Sequence, residues 1–184
     1  MLLVISAPSG AGKTSIVRKL VENNPDLKFS VSATTRAKRP GEVHGKDYYF
    51  LSMQDFEDKI KRNELIEYEK IYDQNYYGTL KTIIDDSHLK NENIIFDVDV
   101  NGGLNIKKIY GSNAITVFIQ PPDIQTLIER LKSRNTESEI ELNKRVARAE
   151  MELTKANLFD YIVVNEDLNE AVKKVQEIYN KYKT

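Results

Sequence analysis

An α/β fold, a parallel sheet flanked by helices, is the class that this 184-residue sequence predicts. Three observations carry the prediction. Four short runs, Leu2–Ser6, Ile94–Val98, Ile115–Ile119 and Tyr161–Val164, are largely apolar rather than alternating, which suits strands covered on both faces. Helical stripes fall between and after them. The first run passes through a glycine-rich turn directly into the first of those helices. Strands that alternate with helices are joined by right-handed crossovers, so the four runs belong to one sheet.

Taken in order, Ile16, Val17, Leu20 and Val21 share one face of the helix after the first strand. Residues about 33–83 break the alternation. They hold Tyr48, Tyr49, Tyr68, Tyr72, Tyr76 and Tyr77, six of the ten tyrosines, with turn signals such as Pro40-Gly41, and predict a smaller inserted β-rich lobe. Within it, Ser52-x-x-Asp55 has the form of a helix cap. Further on, Ile124, Leu127, Ile128 and Leu131 share a helical face. Arg134–Leu153 is strongly charged, with Ile140, Val146 and Leu153 sparsely placed; it reads either as a solvated surface helix or as a lid packed weakly enough to move. Leu168, Ala171, Val172, Val175, Ile178, Tyr179 and Tyr182 then form the stripe of a final helix. With no repeat, low-complexity tract or linker, one domain is expected: a core of about 1–32, 84–124 and 154–184, the lobe at about 33–83 and a helical lid at about 125–153.

Composition narrows the function. The 27 basic and 28 acidic side chains leave a net charge of -1, which argues against nucleic acid as a partner while leaving room for a local basic site for one small phosphate. The absence of cysteine excludes disulfides, thiol catalysis and cysteine zinc sites. No apolar run approaches the ~20 residues of a membrane span. Leu2–Ile5 is too short for a signal peptide and lacks a preceding basic stretch, so a cytoplasmic protein without membrane association is expected. Oligomeric state is written in no motif.

The turn reads Leu3-Val-Ile-Ser-Ala-Pro-Ser-Gly-Ala-Gly-Lys-Thr14, from strand to helix, the context that a phosphate-binding P-loop requires. Gly10 and Gly12 let backbone N–H groups turn inward as an anion nest at a helix N-terminus. Lys13 can reach the β- and γ-phosphates of a nucleotide, and the Thr14 hydroxyl can ligate Mg²⁺. The pattern G-x-x-x-x-G-K-[ST] departs at one place, with Ala7 where glycine is expected. Were a positive φ needed there, alanine would cost about 1 kcal/mol or more. Asp97, at the carboxyl end of the run Ile94-Ile95-Phe96, stands where a magnesium-organising aspartate would lie. A GTPase reading is poor: Asp99-Val-Asn-Gly102 fits D-x-x-G, but no N-K-x-D accompanies it.

The string Ser30-Val-Ser-Ala-Thr-Thr-Arg-Ala-Lys-Arg-Pro-Gly-Glu-Val-His-Gly-Lys-Asp-Tyr-Tyr-Phe50, with Ile66-Glu67, Asn75-Tyr-Tyr-Gly-Thr79 and Asp97-Val-Asp99, closely resembles the guanylate kinase family over nearly the whole chain. The resemblance implies a P-loop core, a GMP-binding lobe and a lid. It implies that Ala7, Pro8, Ser9, Gly10, Ala11, Gly12, Lys13 and Thr14 take the phosphates of ATP, with Asn165, in Val163-Val164-Asn165, beside its adenine. Arg36, Arg39, Tyr48 and Tyr77 would hold the GMP phosphate, and Ser32, Glu67, Thr79 and Asp99 would surround guanine. Arg130, Arg134 and Arg145 would reach the transferring group from the lid side, and Mg²⁺ would be the cofactor. The implied reaction moves the γ-phosphoryl of ATP to GMP, with dGMP left open as acceptor.

The residue types make sense of these roles. Guanine presents N1–H and N2–H₂, a donor edge that a carboxylate such as Glu67 accepts from, whereas adenine would set a lone pair against it. Arginines with tyrosyl hydroxyls suit a monophosphate. The nucleophile is a phosphate oxygen with a second pKa near ~6, so no catalytic base is needed. His44 and His88 accordingly read as surface residues. Arg148 reads as one member of the i,i+4 pairs of a solvated helix, and Thr34, Thr35 and Asp47 as turn formers. The alternatives are a non-catalytic guanylate-kinase-like binding module and a kinase for another monophosphate.

Overall fold

The protein is described here by a computed structural model covering residues 1–71, 74–84, 92–132 and 139–183. Tyr72, His88 and Arg134 lie outside the described residues. In chain order the elements are β1 (Leu2–Ser6), α1 (Lys13–Asn23), β2 (Leu27–Phe29), β3 (Ala33–Thr34), β4 (Tyr49–Phe50), α2 (Met53–Lys61), β5 (Leu65–Ile71) and β6 (Asn75–Leu80). They continue with β7 (Asn93–Val98), α3 (Val100–Tyr110), β8 (Ala114–Gln120), α4 (Ile124–Lys132), α5 (Glu139–Leu153), β9 (Tyr161–Val164) and α6 (Leu168–Tyr182).

Five strands form a parallel sheet in the order β2-β7-β1-β8-β9. Strand β1 lies at its centre, with Leu3 in register with Ile95 on one side and Ile115 on the other. Its alternation sorts the core. Leu3 and Ile5 point to α1 and α6, joining Ile16, Leu20, Val172, Val175 and Tyr179. Leu2 and Val4 point the other way, joining Ile94, Phe96 and Ile106 of α3. Both faces of β1 are thus covered, as expected of an apolar run, but the expectation fails for β9, an edge strand in which Val163 is buried while Ile162 and Val164 are exposed. The strand that the pattern did not announce is β2. It has three residues, of which Leu27 is buried and Lys28 exposed, and it sits at the sheet edge against β7 alone.

The chain leaves β1 for β2 on one side and returns to β1's other side at β8, so the turn after β1 opens at a switch point of the sheet. That is where the Gly-rich loop lies.

The inserted segment forms a second sheet in the order β4-β3-β6-β5, closed by the antiparallel β5–β6 pair. Helix α2 covers it through Phe56, which packs with Ala33 and Leu65. Ser52 caps that helix, its Oγ accepting from the Asp55 backbone N–H at 3.0 Å. The charged segment is helical over α5 and is attached by a narrow apolar seam, Ala149 against Leu127 and Leu131 with Leu142 and Val146 alongside. Ile140 stays 70% exposed, and of the α4 stripe Leu127 and Leu131 are buried while Ile124 faces outward. Among the described residues no helix is long and apolar enough to cross a membrane.

Candidate active site

A cleft of about 940 Å³ opens between the P-loop, the lobe and α5. On the core side, Gly10 and Gly12 take φ of 94° and 89°, the left-handed conformation that an anion nest requires, and the Ala11 N–H closes the turn on the Pro8 carbonyl at 3.1 Å. Among the described residues Asn63 is the only non-glycine with positive φ, so Ala7 needs no such conformation and the strain that glycine would relieve there does not arise. Gly12 is fixed for a second reason. A Cβ there would lie 2.3 Å from Nδ2 of Asn165. That amide, buried to 4% exposure, donates to the Ala11 carbonyl at 2.7 Å and braces the loop from beneath. Arg130 donates to the Asn165 carbonyl at 3.1 Å. Asn165 and Arg130 therefore stand behind the loop.

Lys13 forms an ion pair with Asp97, and Thr14 Oγ1 donates to the other Asp97 oxygen at 3.0 Å. Burial pulls the Lys13 ammonium down to about 8, against the opposing pull of Asp99, Glu152 and Glu67. Among the described residues there is no cluster of three or more carboxylates or histidines able to cage a metal. Magnesium needs none: it keeps several waters and takes one or two protein oxygens with substrate phosphates, and the hard oxygens of Thr14 and Asp97 fit that role.

On the lobe side, Glu67 faces inward at 7% exposure. Thr79 Oγ1 donates to its Oε1 at 2.6 Å from the register-paired strand. Burial pushes the Glu67 carboxyl up to about 7, Thr79 partly offsetting this and nearby Asp99 adding to it. Room for the carboxylate comes from Gly102, where a Cβ would lie 2.7 Å from Glu67 Oε2. Asp99 caps α3, accepting from the Gly102 N–H at 2.9 Å. Ser32, Arg39, Tyr48 and Tyr77 line the same cleft, the two tyrosine rings edge to face at 6.1 Å. Arg36 lies over Tyr48 and is gripped by Glu42 through two hydrogen bonds of 3.0 and 2.7 Å. That contact, with the Arg39 N–H, holds the Glu42 carboxyl down at about 2. Among the other described tyrosines of the lobe, Tyr49 and Tyr76 pack on its apolar cluster, Tyr76 stacking on Phe56 at 5.1 Å, while Tyr68 is half exposed. Thr34 and Thr35 exchange hydrogen bonds with the Tyr76 backbone, and Asp47 accepts from Val43 N–H.

From the third side Arg145 reaches the P-loop, donating to Ser9 Oγ at 2.5 Å. Arg148, read from spacing as one member of the i,i+4 pairs of a solvated helix, does make such a pair, with Glu152. It also enters the cleft and binds Glu69 of the lobe at 2.8 Å. Spacing could not find this second contact, because the partners lie 79 residues apart. Glu42 had a local signal, six residues after Arg36 across the Pro40-Gly41 turn.

A phosphate loop, a buried carboxylate–hydroxyl pair and an arginine–tyrosine wall thus share one cleft. The guanylate kinase family profile matches residues 1–182. The chain belongs to the guanylate kinase family. A guanylate kinase of Bacteroides thetaiotaomicron is 44% identical over 181 residues, covering 98% of this chain and 89% of that one. One from Chlorobaculum tepidum is 47% identical over 174 residues, 95% and 89% of the two chains. The crystal structure of guanylate kinase from Anaplasma phagocytophilum superposes with a TM-score of 0.82 at 28% identity, covering all of this chain and 86% of that one. Membership of the family extends the likeness from the P-loop core to the lobe and α5.

Proposed function

We propose that this cleft transfers the γ-phosphoryl group of ATP to GMP, giving ADP and GDP, by holding two nucleotides in line rather than by acid–base chemistry. The observation that carries the reading is Glu67, a buried carboxylate with a hydroxyl partner, facing the same cleft as the P-loop. Glu67 accepts from N1–H and N2–H₂ of guanine, with Ser32, Thr79 and Asp99 around the base. Ionised Glu67 is costly in the empty pocket, and the donor edge of guanine is what relieves that cost. Adenine offers no such donors at that edge, which is the physical basis of rejection.

Arg36, Arg39, Tyr48 and Tyr77 hold the GMP phosphate, with Glu42 presetting the Arg36 guanidinium. The attacking oxygen belongs to that phosphate, whose second pKa is near ~6, so the chain need not remove a proton from it. What the chain supplies is position and positive charge. The amides of the loop and the Lys13 ammonium hold the ATP phosphates, and Arg145 supplies charge to the transferring group, a role that the family resemblance also gives Arg134. Arg130 and Asn165 support the loop, Asn165 also lying toward the adenine end. Thr14 and Asp97 would hold Mg²⁺, which when bound neutralises phosphate charge. Helix α5 over the cleft excludes water that would otherwise hydrolyse ATP.

A non-catalytic binding module would have no use for Lys13, Thr14 and Asp97 in one register. Free nucleotides as substrates, the balanced charge and the absence of cysteine support a cytoplasmic enzyme that acts on small molecules rather than nucleic acid. A coupled ADP-release assay with Mg-ATP and GMP, AMP, CMP, UMP or dTMP offered singly tests the reading. Turnover with GMP alone is expected. Turnover with another monophosphate instead would overturn the guanine assignment, and GMP binding without turnover would favour the binding module.

A further inference from the structure

Helix α5 carries two cationic grips on one side. Arg145 holds Ser9 of the P-loop at 2.5 Å. Arg148, three residues on and therefore on the same face, donates from Nη2 to Glu69 Oε2 of β5 at 2.8 Å. Its Nε is fixed by Glu152 Oε1, one turn further along, also at 2.8 Å. The Arg148 and Glu69 side chains are 25% and 24% exposed, so salt screens this pair less than a surface pair.

What Glu69 is attached to gives the contact its consequence. Glu69 follows Glu67 by two residues, so both lie on one face of β5. In register, Glu67 stands opposite Thr79 and Glu69 opposite Tyr77. Arg148 therefore grips the strand pair that presents the guanine-facing carboxylate and the tyrosine of the phosphate wall. Its removal would do more than lose an attraction. Asp99 lies against Glu69, and burial together with Asp99 pushes the Glu69 carboxyl up to about 7. Burial raises Glu152 as well, with Arg148 opposing. Without the guanidinium, the partly buried Glu69 of the lobe and Glu152 of α5 lose the cation that offsets their burial and joins them.

We propose that Arg148 is a positioning residue that couples the two nucleotide sites, α5 being clamped on the P-loop at Ser9 and on the lobe at Glu69. Whatever draws α5 onto a P-loop filled by ATP also fixes β5 and β6, so each nucleotide tightens the binding of the other. Such coupling is reciprocal, and it rests on the lobe being the GMP site as read above.

The test is the synergy factor, the ratio of GMP dissociation constants by calorimetry without and with a non-hydrolysable ATP analogue and Mg²⁺. Taking a ratio divides out any change in intrinsic GMP affinity. The full chain is used as wild type, Arg148→Lys, Arg148→Met, Glu69→Gln and the Met/Gln double variant, each first shown to melt cooperatively. Glu69→Gln, which keeps the side-chain shape, is the variant least exposed to misfolding. In the wild type the analogue is expected to tighten GMP by about fivefold or more. Arg148→Met and Glu69→Gln each bring the factor to within about twofold of unity. The double variant is no worse than either, and Arg148→Lys keeps part of the effect. Wild-type synergy in every single variant, effects that multiply in the double, or no synergy in the wild type overturns the coupling. Wild-type protein that binds no GMP under either condition overturns the underlying assignment of the lobe, and the coupling with it.

Discussion

The two sheets of this molecule are built on opposite terms. In the core, β1 runs through the centre with Leu2, Leu3, Val4 and Ile5 at 2% exposure or less, and the two alternating faces each bury an apolar cluster. In the lobe, the strands include pairs of only two residues, the apolar cluster is small, and the most deeply placed groups of β5 and β6 include Glu67 and Thr79. Apolar burial is non-directional and tolerates many sequences. A buried carboxylate is directional and costly unless paired. The core is thus organised to be stable and to hold a phosphate loop, while the lobe, on the proposed function, gives up stability to read one base. Substitutions in the two sheets should therefore fail in different ways.

The largest effect is expected where the core meets the chemistry. Lys13→Met should lower kcat by about 10²–10³-fold or more, since it removes a positive charge from the transferring phosphoryl group. Steady-state kinetics at saturating ATP and GMP checks this. Leu20→Ala, at a position with no exposure in the core, should cost about 2–5 kcal/mol of stability while leaving the preference for GMP unaltered in the folded enzyme. Chemical denaturation and the specificity ratio together test that separation, and a changed base preference would break the contrast between the sheets. Glu42→Gln loosens Arg36 and should raise KM for GMP by about tenfold with kcat changed less than about threefold. An effect on kcat alone would place Arg36 at the transferring group instead.

The smallest effect is on pH dependence. The Glu67 carboxyl has an ordinary value of 4.5 and stands at about 7 in the fold. Between those values the folded chain holds a proton that the unfolded chain has released, so this group makes stability fall as pH rises through that window. Glu67→Gln cannot ionise and should melt a few degrees above the wild type at pH 8, with the gap closing toward pH 5. In the wild type, GMP affinity should weaken below pH 7 as the carboxylate is lost. The phosphate of GMP also titrates near ~6, so the difference between wild type and variant isolates the contribution of Glu67.

The contrast also explains what the sequence made legible. The inner strands of the core could be read because burial on both faces leaves largely apolar runs such as Ile94–Val98, whereas the edge strand Tyr161–Val164 was legible by its apolar letters although only Val163 of it is buried. Strand β2 could not, since an edge strand with Lys28 exposed leaves no such run. The phosphate loop, Asp97 and the lobe's Glu67 and Thr79 were legible as motif letters, and geometry brings the loop, Asp97 and Glu67 to one cleft with Thr79 behind Glu67. Asn165 showed its place beneath Ala11 only in three dimensions. The Arg148–Glu69 grip was invisible for a physical reason. Helical spacing reveals Glu152 as a partner of Arg148, but a contact between α5 and β5 depends on how the lobe and α5 close on each other, which no local period encodes.

The central claim is that an ionised Glu67 reads the guanine edge, and the ratio of kcat/KM for GMP over AMP in wild type and Glu67→Gln tests it most directly. A GMP preference is expected in the wild type that falls by at least about tenfold in Glu67→Gln, mainly through weaker GMP, in a variant that is folded and no less stable. A variant that remains folded and discriminates as well as the wild type would contradict it.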